Sequence, residues 1–180
     1  MHSSEGSSTA STHRTKRTIM SIEDDGKVKL TVSCPCGKTV VSVHEKPVGS
    51  FFCHCTECHN MSQSAVVQCV LFPKGNVKVV QGSVVPLKRP DMAQHGHVCT
   101  ECNCQVYMTT DKFSLDKISV SEIRRCNDGK LPAGCEPQMH IFYNERYLDV
   151  ADDLPKFADL PEAFAGTGKL CNNDGTMKEA

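Results

Sequence analysis

Eight of the twelve cysteines in this 180-residue chain stand in three short clusters: Cys34-Pro35-Cys36, Cys53-His54-Cys55-Thr56-Glu57-Cys58 and Cys99-Thr100-Glu101-Cys102-Asn103-Cys104. Any fold open to the chain must gather those sulfurs as disulfides or metal ligands, or else leave reactive thiols at its surface. The N-terminus shows no apolar secretory core, and no apolar run is long enough to cross a bilayer. A soluble, cytoplasmic protein is therefore expected, in which thiols stay reduced and clustered cysteines serve as metal ligands. Zinc is the expected metal. Hydrophobic residues make up 39% of the chain, but with no Trp, seven Phe and three Tyr the core is light, so folding is expected to lean on that metal. A formal net charge of -1 supplies no field to hold nucleic acid or an anionic membrane, and neither is expected as a partner.

Residues 1–21 (MHSSEGSSTASTHRTKRTIMS) are rich in Ser, Thr and basic residues and are expected to be a disordered tail, as are residues 166–180. Residues 22–165 are expected to form one zinc-binding domain. Within it KVKLTVS, TVVSVH, VGSFF, AVVQCVLF, NVKVVQG, CQVYMTT, KISVSEI and MHIFY read as strands, rich in β-branched and aromatic residues and punctuated by Gly37, Pro47, Gly75 and Gly82. Helical turns are expected only over residues 57–63 and 151–157. The expected fold class is mainly β, with antiparallel sheets, very little helix, and the cysteines carried on loops.

Gly37 follows the Cys34/Cys36 pair and Asn103 follows Cys99/Cys102; these residue types take a positive φ most readily. Each pair can therefore turn both sulfurs toward one ion, and the four make a closed thiolate shell, the pattern of structural zinc. Cys53, Cys55 and Cys58 remain. One tight loop can aim three sulfurs at a second ion but cannot offer a fourth. Three protein ligands with a free fourth position is how catalytic zinc is built, whereas Cys104, His54, His59 or His97 could close the shell and make it structural. The spacing leaves both readings open. A zinc with three thiolates carries net charge -1, activates water poorly and suits a fourth thiolate, so thiol chemistry is expected rather than hydrolysis. His54, Glu57 and His59 are candidate proton donors or acceptors beside Cys53, Cys55 and Cys58, and Lys88 and Arg89 are candidate cations for a substrate carboxylate. Cys69, Cys126, Cys135 and Cys171 read as small buried hydrophobes or free thiols. A reactive Cys126 or Cys135 is what a methionine sulfoxide reductase chemistry would require.

In this order, CPCG, FFCHCTEC, VLFPKGNVKVVQG, HVCTEC, MHIFY and DDLPKF make residues 31–161 resemble the glutathione-dependent formaldehyde-activating enzyme family, whose domain is shared with centromere protein V. The resemblance implies a zinc-binding β-tent fold and two zinc ions per chain. One would be structural on Cys34, Cys36, Cys99 and Cys102, the other held by Cys53, Cys55 and Cys58. It implies a carbon–sulfur lyase activity that joins a small thiol to an aldehyde, as glutathione and formaldehyde combine to S-(hydroxymethyl)glutathione. The chain departs from the family pattern at Asn103, where glycine is usual, at the added Cys104, and in the run from His59 to Ser64, which puts the identity of the thiol in doubt. The alternative is a non-catalytic, zinc-stabilised interaction module like that of centromere protein V; the near-neutral charge speaks against chromatin binding.

Overall fold

The computed structural model describes residues 21–22, 27–88, 90 and 92–179. The tail expected over residues 1–21 lies outside them, apart from Ser21. Alternation of apolar and polar residues buries Val28, Leu30 and Val32 on one face of β2 (Val28–Ser33) and Val41 and Val43 on one face of β3 (Val40–Glu45). These strands pair antiparallel. With β1 (Ser21–Ile22) beside β2 and β6 (Lys78–Gln81) beside β3 they form a four-stranded sheet.

The second sheet has nine strands. They are β4 (Gly49–Cys53), β5 (Val67–Pro73), β7 (Val84–Leu87), β8 (Gln94–Cys99), β9 (Gln105–Thr110), β10 (Leu115–Ser119), β11 (Met139–Ile141), β12 (Lys156–Phe157) and β13 (Leu170–Cys171), in the order β13-β12-β11-β4-β5-β10-β9-β8-β7. All neighbours are antiparallel except β11, which runs parallel to both β4 and β12. The fold is thus mainly β, as expected, with two short helices. Val70, Phe72, Val106 and Ile118 of the large sheet close over Val28, Leu30 and Val41 of the small one, and α2 (Val120–Cys126) adds Val120 and Ile123. Among the described residues no helix is long and apolar enough to cross a membrane.

Three expectations need correction. KISVSEI is not one strand: β10 stops at Ser119, and the i, i+3 spacing of Val120 and Ile123 gives α2 a buried face. Residues 151–157 form no helix, because Pro155 disfavours α geometry in the residue before it and Lys156 instead pairs with His140 of β11. The segment from residue 166, expected as a disordered tail, carries β13 paired with β12. It buries Cys171 to 1% exposure, and the Tyr143 hydroxyl donates to the Asn173 carbonyl at 2.6 Å. Strand β8 (QHGHVC) was not anticipated, its polar residues and Gly96 masking the pattern.

Between β5 and β9, β10 is buried on both faces at Asp116, Lys117 and Ile118. The Asp116 carboxylate is satisfied by the Gly75 and Val77 N–H groups at 2.7 and 3.1 Å, so it fixes the turn that leads into β6. Lys117 faces the site described next.

Candidate active site and metal centres

Cys34 and Cys36 lie in the turn after β2, Cys99 and Cys102 in the turn after β8, and the two turns meet. In the first, Gly37 N–H donates to the Cys34 carbonyl and Cys34 N–H to that of Thr39, each at 2.9 Å; in the second, Asn103 N–H donates to Cys99 O and Cys99 N–H to Cys104 O, also at 2.9 Å. Gly37 takes φ 70° and Asn103 φ 56°, the positive values expected of these knuckles. All four sulfurs lie within 4.8 Å of one another, with Cys34–Cys36 at 3.3 Å and Cys36–Cys99 at 3.8 Å. Sulfurs sharing a tetrahedral ion at about 2.3 Å would sit about 3.8 Å apart, so this group fits a metal. Donors already point at the sulfurs: Thr39 Oγ1 at 3.1 Å and Glu101 N–H at 3.4 Å to Cys99, Thr39 N–H at 3.3 Å to Cys34. The Thr39 hydroxyl is the main cause drawing the Cys99 thiol down to about 6. Cys104 stays outside this group, and the Cys102 side chain next to it pushes the Cys104 thiol up.

The second group is built by the end of β4 and the start of α1 (Thr56–Ser62). Cys53 is the last residue of β4, Cys55 caps the helix by accepting the Cys58 N–H at 3.4 Å, and Cys58 lies in its first turn. Their sulfurs also fall within 4.8 Å of one another, Cys53 and Cys55 at 3.4 Å. Among the described residues no fourth Cys, His, Asp or Glu joins them. Bonds from Cys53 and then Cys55 draw the Cys58 thiol down, while Cys53 is pushed up, first by its bond to Cys55. Three sulfurs gathered this closely make a donor set that fits a thiophilic cation.

These sulfurs open onto a cavity of about 290 Å³. Gln94, 8% exposed, sits beside them, its Nε2 donating to Glu57 Oε2 at 2.9 Å and lying 3.7 Å from Cys58 Sγ. Its Oε1 accepts from Lys117 Nζ. Lys117 is buried and lines the cavity. Burial works against its charge, but the sulfurs, Cys58 foremost, outweigh that and hold the ammonium above the usual lysine value. This cation had no signature in the sequence beyond one Lys in a strand. Lys88, the cation expected there, is exposed and not part of the cavity wall, and Arg89 lies outside the described residues.

Of the expected proton-transfer residues, only Glu57 lines the cavity. His59 stacks on Tyr147 at 3.9 Å, and His97 stacks on Tyr107 at 4.2 Å. His54 follows the last residue of β4, is 1% exposed, and packs its ring against His140 and Tyr143 rather than on the cavity wall. Its Nε2 lies 2.8 Å from His140 Nδ1, and His140 Nε2 lies 2.9 Å from Asp152 Oδ2, with Lys156 Nζ on the same carboxylate at 2.6 Å. Burial lowers both histidines, His54 to about 4, so both are neutral. The carboxylate then accepts a hydrogen bond from His140 Nε2–H, His140 Nδ1 accepts from His54 Nε2–H, and His54 Nδ1 keeps a buried lone pair with no partner among the described residues. Asp152, the far end of this chain, lines a wider hollow of about 660 Å³ that holds neither cysteine group. The isolated cysteines behave as expected of small apolar residues: Cys69, Cys135 and Cys171 are buried, and burial pushes Cys69 and Cys135 up to about 12.

No curated protein matches the chain. A crystal structure of a Rhodobacter sphaeroides protein, 14% identical, superposes over 57% of this chain and 98% of its own with a TM-score of 0.43. The family model of the glutathione-dependent formaldehyde-activating enzyme matches residues 29–145, a span that holds both cysteine groups, Gln94 and Lys117, and the chain belongs to that family.

Proposed function

We propose that this chain is a zinc-dependent carbon–sulfur lyase that joins a small thiol, glutathione or a relative of it, to formaldehyde or a related aldehyde and reverses that addition. The observation that carries the reading is a group of three sulfurs, with no fourth side-chain ligand among the described residues, facing a cavity whose wall holds a buried ammonium. Two zinc ions per chain are proposed, with Cys34, Cys36, Cys99 and Cys102 holding a structural one and Cys53, Cys55 and Cys58 the other. In the second site zinc supplies a soft Lewis acid that favours the thiolate form of a substrate sulfur.

The addition balances simply. The thiol loses its proton, its sulfur forms a bond to the carbonyl carbon, the C=O electron pair moves to oxygen, and that oxygen takes a proton. Lys117 is suited to the charge that develops. One of its N–H groups is spent on Gln94, which fixes the ammonium, and the others are free to donate to the forming alkoxide. Glu57 holds the Gln94 amide through Nε2 and also accepts the Ala93 N–H at 3.1 Å, so the wall beside Cys58 is fixed on two sides. His54, a candidate catalytic residue by position in sequence, is assigned instead to holding the loop between Cys53 and Cys55 through His140.

The reading is tested by thiol-dependent formaldehyde turnover, followed by exchange NMR, in the wild type and in Cys58→Ser. Loss of the protein-catalysed rate in the variant is expected; equal rates overturn the reading.

A further inference from the structure

Formaldehyde has two heavy atoms. A cavity of about 290 Å³ has room for roughly ten groups of water size, taking ~30 Å³ for each. Part of the wall around this room is apolar. Phe51 of β4, Leu71 of β5, Leu115 of β10 and Ile141 of β11 form its floor, and Phe113 and Phe164 form its sides. Phe164 meets Phe51 edge to face, with ring centroids 5.5 Å apart. Cys53 packs both in this apolar cluster and in the one around Cys55 and Cys58, so the sulfurs and the aromatic wall are parts of one continuous surface. Lys112, Lys117, Glu57 and Glu145 also line the cavity and can meet the charged ends of glutathione, but the aromatic and aliphatic side chains have no counterpart in glutathione or in formaldehyde. A Phe-lined wall of this extent takes an aromatic or aliphatic group.

The family match ends at residue 145, whereas Leu160 and Phe164 come from the segment after it. That segment is held in place by features of this chain: Gly168 N–H donates to the Leu160 carbonyl at 3.1 Å, and Asp159 accepts the Thr167 hydroxyl at 2.7 Å.

The geometry points to an aldehyde with an apolar substituent of about six to eight carbons, a phenyl group fitting best, as the preferred carbonyl substrate. Its reacting carbon lies next to the substrate sulfur beside Cys53, Cys55 and Cys58, and its side group among Phe51, Phe113 and Phe164. The inference rests on the thiol–aldehyde reaction proposed above and selects the aldehyde. The aldehyde is chosen over the thiol because the proposed thiol is glutathione-like, with charged ends suited to Lys112, Lys117, Glu57 and Glu145, which leaves the apolar wall to the side group of the carbonyl partner.

The test uses zinc-loaded protein with glutathione held constant. Exchange NMR gives KM for phenylacetaldehyde and for formaldehyde, and titration calorimetry gives the affinity of the unreactive 2-phenylethanol against methanol. Phenylacetaldehyde is expected to show a KM at least about tenfold lower, the discrimination that a single methylene gives in a fitted apolar pocket. 2-Phenylethanol binds and methanol does not. Phe164→Ala, a half-buried position, cuts the phenyl preference at least fivefold, and Phe113→Ala does the same should the first variant lose its fold. Formaldehyde turnover with no phenyl preference, or a preference unchanged in both variants, overturns the inference and leaves the reaction standing. Binding of 2-phenylethanol with no turnover of any aldehyde removes the reaction and supports the apolar subsite alone.

Discussion

Cys36→Ser separates a metal clip from a chance gathering of thiols. Cys36 is exposed, so a serine there buries no new polar group, and a surface change of this kind ordinarily shifts stability little. Its sulfur, however, lies 3.8 Å from that of Cys99 across 63 residues of sequence. A cross-link that closes a 63-residue loop removes chain entropy from the unfolded state worth about 4 kcal/mol by the usual loop-closure expression, and metal binding adds to that. For a chain of this length each kcal/mol moves the melting temperature by about 2–4 °C, so losing the clip corresponds to roughly 8–16 °C. The assay is differential scanning calorimetry with zinc analysis. We expect the variant to melt at least about 8 °C lower and to lose one zinc, and the wild type stripped by a chelator to fall by at least as much. A variant that melts within about 2 °C of the wild type and keeps its metal refutes the clip, because the loop would then be closed by packing alone.

Cys58→Ser should halve zinc content while lowering the melting temperature far less than Cys36→Ser does, which metal analysis and calorimetry on the same samples check. Lys117→Met should reduce kcat/KM for thiol–aldehyde exchange by about 10²–10³, the usual effect of losing one donor to a developing oxyanion, with the zinc content unchanged. Acid stability tests the buried relay. The Lys156 and His140 contacts hold the Asp152 carboxyl below the ordinary range, although burial pushes it the other way. A depressed carboxyl gives stability that is present above its unfolded value of about 4 and is lost as pH falls through the lower folded value. Asp152→Asn should therefore flatten the fall in stability below pH ~4, and an unchanged acid limb in urea titrations speaks against the relay.

The two cysteine groups were legible because their determinants are local. Two cysteines and a residue tolerant of positive φ define each knuckle, and Gly37 and Asn103 adopt those angles. The long strands were legible through alternation, as in Val28, Leu30 and Val32. What escaped was set by tertiary context. Lys117 becomes a site residue only because β10 lies between β5 and β9, where both its faces are covered. His140 meets His54 across 86 residues through the parallel pairing of β11 with β4, which no short motif announces. Strand β13 is two residues long and takes its order from β12 and the Tyr143 hydroxyl, so the segment around it reads as a tail. Position beside the cysteines made His54 look reactive, yet its ring packs on His140 and Tyr143 and does not line the cavity.

The account stands on Cys53, Cys55 and Cys58 holding a metal that still accepts an outside sulfur. Cobalt-for-zinc exchange followed by visible absorption measures this directly. Two cobalt ions per chain are predicted, with the thiolate-to-cobalt bands of one of them changing on addition of glutathione and those changes absent in Cys58→Ser. One cobalt per chain, or two whose spectra ignore glutathione, contradicts the account.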